Sequence, residues 1–276
     1  MKRSLFKRFN LTVGAVLVGW LVLTALVGLV YTPYDPTAVD LVTRYAPPGL
    51  HHWFGTDEFG RDVLSRVMAG AAVSVTVSVG SVLFALVAGT TLGTVSGYVG
   101  GWFDRLVLML TDALMAFPGL LLALGIMTVL GASKGSVVLA LGLAYTPSVT
   151  RLAHSGTLSL RGRDFVVASQ AMGNSGTWTL WRHVLPNTIA PLLVFSTSLF
   201  GSALLAESAL SFLGLGVPPP APTWGGMLAD GRDAIDRAVW LAVFPGAAIS
   251  LALLGINMLG DALRDLLDPR MKGVTR

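Results

Sequence analysis

No cysteine occurs anywhere in the chain, so neither disulfides nor thiolate metal sites can form in it. Charge is nearly as scarce. Only 12% of residues are Asp, Glu, Lys or Arg, against roughly 25% in a soluble domain. Apolar residues make up 53% and mean hydropathy is +0.70. That balance excludes a soluble globular domain and implies an integral membrane protein. No Gly-x-x-x-x-Gly-Lys-Ser/Thr loop is present, so the chain lacks the phosphate cradle needed to bind ATP itself. The His-Glu-x-x-His zinc signature is missing as well. A net charge of +4 could suit nucleic acid, but the basic residues flank apolar runs, where membrane topology accounts for them.

What remains is a succession of charge-free intervals. A helix crossing about 30 Å of hydrocarbon needs about 20 residues, and on that basis six crossings are expected. The first covers 9–34 and the second about 70–97. The third, about 106–130, holds Asp112 and Pro118. The fourth, 135–150, is short at about 24 Å of helix; it is either extended by Arg151 snorkelling or packed inside protein. The fifth lies within 182–207 and the sixth within 237–261. The expected fold class is therefore all-α integral membrane. Its N-terminal anchor helix and external loop take 1–69, and a five-helix core takes 70–276, with a polar loop at about 152–187. Lys2, Arg3, Lys7 and Arg8 imitate a signal peptide, but the apolar run exceeds an h-region and no small-x-small site precedes Tyr34. It reads as a retained anchor. Alternate loops hold thirteen and six basic residues. The richer side, with both termini and the polar loop, is expected to face the cytoplasm.

That polar loop, at 161–187, is itself amphipathic. Phe165, Ala168 and Met172 fall at helical spacing, with Val167 and Ala171 beside them, giving a short helix with one apolar side. Gly173 and Asn174 follow where it would stop, since both tolerate a left-handed cap. A second run carries Trp178, Trp181, Val184 and Leu185 and is expected to end at Pro186. Two readings compete: a helix seated on a protein partner, or an interfacial helix lying on lipid. Few lysines on its face weigh against lipid.

This stretch resembles the cytoplasmic coupling loop of ABC importer permeases, whose signature reads Glu-Ala-Ala-x-x-x-Gly, eleven residues, then Leu-Pro. Ala168, Ser169, Gly173, Leu185 and Pro186 stand in register, and Val167 replaces the glutamate. Between the first two spans, Gly55 to Arg66 carries Gly-Thr-Asp-x-x-Gly-Arg-Asp-x-x-Ser-Arg. That pattern resembles the branch for dipeptides, oligopeptides, nickel and opine-type metal chelates. Gly97-Tyr98, Gly101-Trp102-Phe103-Asp104, Phe117-Pro118, the 211–216 run, Trp224-Gly225 and the 260–265 run with Asp268-Pro269 continue the likeness in order.

The resemblance, to a second ("C"-type) permease subunit, implies a type I ABC importer permease fold in the bacterial inner membrane. It implies that Phe165, Val167, Ala168, Ser169, Ala171, Met172, Gly173, Leu185 and Pro186 couple to an ATP-binding subunit. A homologous permease subunit, two ATP-binding subunits and an external solute-binding protein are the implied partners. ATP and magnesium would sit on those ATP-binding subunits, with no cofactor and no nucleic acid on this chain. The substrate stays open among dipeptide, oligopeptide, nickel and metal chelate. A stand-alone channel or secondary carrier is the competing function.

Other motifs carry less. Gly131-Ala132-Ser133-Lys134-Gly135 fits Gly-x-Ser-x-Gly, but it falls between apolar spans and not on a strand-to-helix elbow. His51 and His52 are adjacent and so diverge, which disfavours a shared metal. Asp57, Glu58 and Asp62 are expected to order the loop with Arg61 and Arg66, and His154 and His183 to be solvated or interfacial. A carboxylate at mid-span costs roughly 2.5–3.5 kcal/mol on insertion scales, which singles out Asp112 and Glu207. Asp112 either bridges Arg105 or Arg151 or lines a path. Glu207 either lines an outer gate or holds the 211–216 turn. Asn257 is either interhelical glue or a pathway residue.

Overall fold

The structure, a computed structural model, describes residues 2–267. Asp268, Pro269 and the tail cations Arg270, Lys272 and Arg276 lie outside the described residues. Helix follows helix: α1 (Lys2–Val30), α2 (Val63–Val99), α3 (Gly101–Met115), α4 (Gly119–Leu130) and α5 (Lys134–Arg161) come first. Then follow α6 (Asp164–Ala171), α7 (Gly176–Thr179), a π-helical segment (Leu180–Val184), α8 (Leu185–Phe212), α9 (Trp224–Arg232) and α10 (Trp240–Leu267). Five stretches are long and apolar enough to cross a membrane, and α3 with α4 makes a sixth if that bent pair is one span.

Glycine decides which helices lie closest. A Cβ at Gly89 would stand 2.6 Å from Cβ of Val149, and one at Gly93 only 2.2 Å from the carbonyl oxygen of Thr150. Gly80 meets Val138 and Gly97 meets Thr157 in the same order, so α2 and α5 run parallel with backbones in close approach. Parallel neighbours need a return crossing between them, and α3 and α4 supply it. Leu21 and Ala25 of α1 pack with Val63 and Val67 of α2, Trp224 of α9 and Ala252 and Ile256 of α10. A second cluster joins Ala123 and Met127 of α4 to Val137, Ala140 and Leu141 of α5.

The structure refines the expected spans. The third is broken in two: α3 and α4 meet at 94°. The break falls at Ala116–Pro118, because Pro118 has no N–H to continue α3 and disfavours helix in the residue before it. The fourth span is not short, since α5 has 28 residues. The span extends past Arg151, one of the two alternatives expected, and Arg151 pairs with Asp112 on α3 at the surface of the chain. The run through Trp178 and Trp181 does not end at Pro186. It continues into α8, because Pro186 falls at the helix start, where a missing N–H costs little, directly after the wide π turn.

Candidate coupling site

The loop joining α5 to α8 folds back on the bundle through α6. Gly162 ends α5 and Asp164 opens α6, its carboxylate in the first turn, where the helix dipole favours it. Gly173 closes that helix with φ of +85°, a conformation in which a Cβ would be strained. Ser175 caps α7 by accepting from the Trp178 amide. Val166 is fully buried with Leu180 and Val184, against Val95, Tyr98 and Leu160. Ser169 is fully buried too, its hydroxyl 2.9 Å from that of Thr179 and 3.3 Å from the amide nitrogen of Asn174. Gln170 Nε2 donates to the Tyr98 hydroxyl at 2.9 Å.

Everything else apolar on α6 points away from the bundle. Phe165, Val167, Ala168, Ala171 and Met172 are exposed, Met172 to 75%. Two polar side chains, Ser169 and Gln170, thus hold the helix from behind while its apolar side faces outward. The exposed apolar residues form one contiguous side of the helix. Leu185 is half-buried and Pro186 exposed at the start of α8. The ring of His183 lies edge-on to Trp178 at 5.1 Å and to Phe165 at 6.4 Å. Of the nine residues expected to couple, Ser169 is the one turned inward, where it secures the helix. Val166, Gln170 and Tyr98 were not singled out by sequence. The alternation of Val166 with exposed neighbours offered no signal, and Tyr98 stood out only as half of Gly97-Tyr98.

The isolated polar residues fare differently. Asp112 pairs with Arg151, not with Arg105, and both side chains are more than half exposed. Glu207 is fully buried on α8, with Oε1 accepting from the Ser211 hydroxyl at 2.8 Å. It is thereby bonded to the first residue of the 211–216 run, and its side chain has no exposed surface in this structure. Asn257 is exposed on α10 beside Gly201 of α8. His154 corrects an expectation: it is not in a solvated loop but in α5, buried and 2.8 Å from Asp104 of α3.

At the opposite end of the bundle, residues 31–62 form a folded cap. Asp57 accepts from Arg61 at 2.6 Å and faces Arg66 at 3.4 Å, and Asp230 of α9 reaches Arg66 at 3.3 Å. Asp62 does not pair with arginine. It caps α2 through the Ser65 amide and lies 2.9 Å from Nδ1 of His52. Desolvation raises the pKa of Glu58, helped by the nearby charges of Asp230 and Asp57. Burial likewise raises that of Asp230, with Arg66 and Arg61 opposing it. Among the described residues no group of three or more His, Cys, Asp or Glu could hold a metal ion.

A bundle of helices long and apolar enough to cross a membrane, with an amphipathic helix bonded at one end, describes a multi-pass membrane protein. Residues 89–273 match the family described as binding-protein-dependent transport system inner membrane component, and the chain belongs to that family. It is 45% identical to a protein of Brucella suis biovar 1 (strain 1330), provisionally named a peptide transport system permease, over 98% of this chain and 91% of that one. The dipeptide transport system permease protein DppC of Alkalihalophilus pseudofirmus is 42% identical over 94% of this chain and 86% of its own. The glutathione transport system permease protein GsiD of Escherichia coli O6:K15:H31 is 40% identical over 97% and 89%. The chain is a permease subunit of an ABC importer.

Proposed function

We propose that this subunit carries small peptides, in company with a second permease subunit, and is driven by ATP hydrolysed on separate subunits that grip α6. The observation that carries the reading is the outward apolar side of α6, made of Phe165, Ala168 and Met172 and held from behind by Ser169 and Gln170. A helix so fixed transmits force instead of swinging freely. Lacking a phosphate-binding loop, the chain has no energy source of its own, so force must arrive through such a contact. The end bearing α6 then faces the cytoplasm, in keeping with the basic residues there. The cap at the other end meets an external solute-binding protein. With Val167 in place of glutamate, the contact on the ATP-binding subunit is apolar. Peptide is favoured over nickel or a metal chelate because the named relatives handle peptides, a dipeptide and glutathione.

Replacement of Ala168 by Asp tests the reading. It puts a charge in the middle of the exposed apolar side without touching the buried one. The expected result is normal membrane insertion with loss of the ATPase activity stimulated by the solute-binding protein. Unchanged stimulation overturns the coupling role. Flux through the purified chain alone in lipid vesicles would instead support the carrier reading.

A further inference from the structure

The coupling loop is joined covalently to α5 and α8, and it also rests on the tip of α2, beside Leu160 of α5. Tyr98, in the last turn of that helix, accepts the Gln170 bond. A Cβ at Gly176 of α7 would touch its ring at 3.4 Å. Tyr98 and Val95 also close over Val166, Leu180 and Val184. The covalent routes pass through Gly162 on one side and through the π segment into α8 on the other.

α2 itself is stiff. It runs 37 residues without an internal proline, about 55 Å of helix, and its glycines lock it against α5. Its far end is held as firmly. The Asp62 cap, the Arg66 ion pairs to Asp57 and Asp230, and the Trp224 bond to Val67 all act on its first two turns.

We propose that Tyr98 is the positioning residue that fastens the coupling helix to α2, so that displacement of α6 drives α2 as a rod. The push is thereby delivered to the ion cluster at the opposite end of the chain, where the binding protein docks. This rests on the coupling role proposed for α6 and adds the helix that carries its motion. It makes α2, a neighbour in space only, the link between the two faces of the membrane.

The test uses the assembled importer in vesicles, reading the ratio of ATP hydrolysis with and without the solute-binding protein. Tyr98→Phe keeps the ring and removes the acceptor, and Gln170→Leu removes the donor. Each is expected to lower the ratio about fivefold, the shift in equilibrium from one lost neutral hydrogen bond. The double variant should lose no more than either single one, because both delete the same bond. Gln170→Glu, which accepts from the Tyr98 hydroxyl, should restore the ratio. Ratios within twofold of the parent for both single variants, or additive losses in the double, overturn the proposal. If Ala168→Asp abolishes stimulation while Tyr98→Phe preserves it, this inference falls and the role of α6 stands. If both preserve it, both fall.

Discussion

The indole nitrogen of Trp224 donates to the carbonyl oxygen of Val67 across 2.9 Å, although 157 residues separate the two in sequence. A carbonyl has two lone pairs, so Val67 can serve both its own helix and α9. The indole reaches it because residue 70 is glycine, where a Cβ would stand 3.2 Å from the Trp224 ring. Trp224 is fully buried, and Asp230 on the same helix pairs with Arg61 and Arg66. Trp224→Phe removes the bond and leaves a void. The expected cost is about 1–3 kcal/mol, seen as a lower melting midpoint of the detergent-solubilised importer. A midpoint equal to the parent's would show that α9 is held some other way.

Two glycines give opposite expectations for one substitution. At Gly93 an added methyl meets the Thr150 carbonyl and the Ala153 methyl, all of it backbone or rigid side chain. Gly93→Ala must separate α2 from α5, at a cost of roughly 1–3 kcal/mol or more. At Gly125 of α4 nothing lies within 4 Å, so Gly125→Ala should be neutral or stabilise by up to about 1 kcal/mol. Melting the two variants side by side checks the pair. Equal midpoints would contradict the close approach of α2 and α5.

Legibility in the sequence divides along physical lines. Long apolar intervals announce helices whatever their packing, so α1, α2, α8 and α10 were visible from composition alone. Where a charge interrupts a helix, the rule fails. Arg151 truncated the reading of α5 even though a bridge to Asp112, 39 residues earlier on another helix, was one of the pairings expected, because sequence spacing cannot say which of two candidate arginines makes the bridge. The break at Pro118 was equally hidden, since a proline either kinks a span or breaks it according to what packs around it. In the coupling loop, the spacing of Phe165, Ala168 and Met172 identified an apolar side. It could not say that this side faces out and that Val166 and Ser169 face in, because both sides of α6 are apolar enough to bury. Likewise His154 looked solvated only while α5 was thought to stop before it.

Glu58 supplies an expectation about pH. Its folded pKa is raised above the ordinary value of 4.5, first by desolvation and then by Asp230 and Asp57. A raised acid favours the folded state when protonated. That contribution is complete below 4.5 and is lost as pH rises through the folded pKa. At neutral pH the ionised carboxylate therefore strains the cap, and Glu58→Gln should raise the melting midpoint. The gain should shrink as pH falls towards about 4.5, where the parent protonates by itself. Melts at about pH 7 and about pH 4.5 make the comparison. A variant less stable than the parent at neutral pH would mean that Glu58 is held by attraction to Arg61 and Arg44 after all.

Glu207 separates a turn-holding role from a gate. Its Oε1 accepts from Ser211 while Oε2 is buried without a hydrogen-bond partner, and the side chain has no exposure. Glu207→Gln keeps the acceptor for Ser211 at nearly the same volume, so transport and assembly should stay close to those of the parent. Glu207→Ala leaves both a cavity and an orphaned Ser211 hydroxyl. Together these should cost about 2–4 kcal/mol and lower the yield of assembled importer. A gate predicts the reverse ranking, because charge at a path matters more than volume. In that case the glutamine variant would assemble normally yet transport poorly. Uptake measured per assembled complex, for both variants together, decides between them: equal uptake per complex assigns Glu207 to the turn.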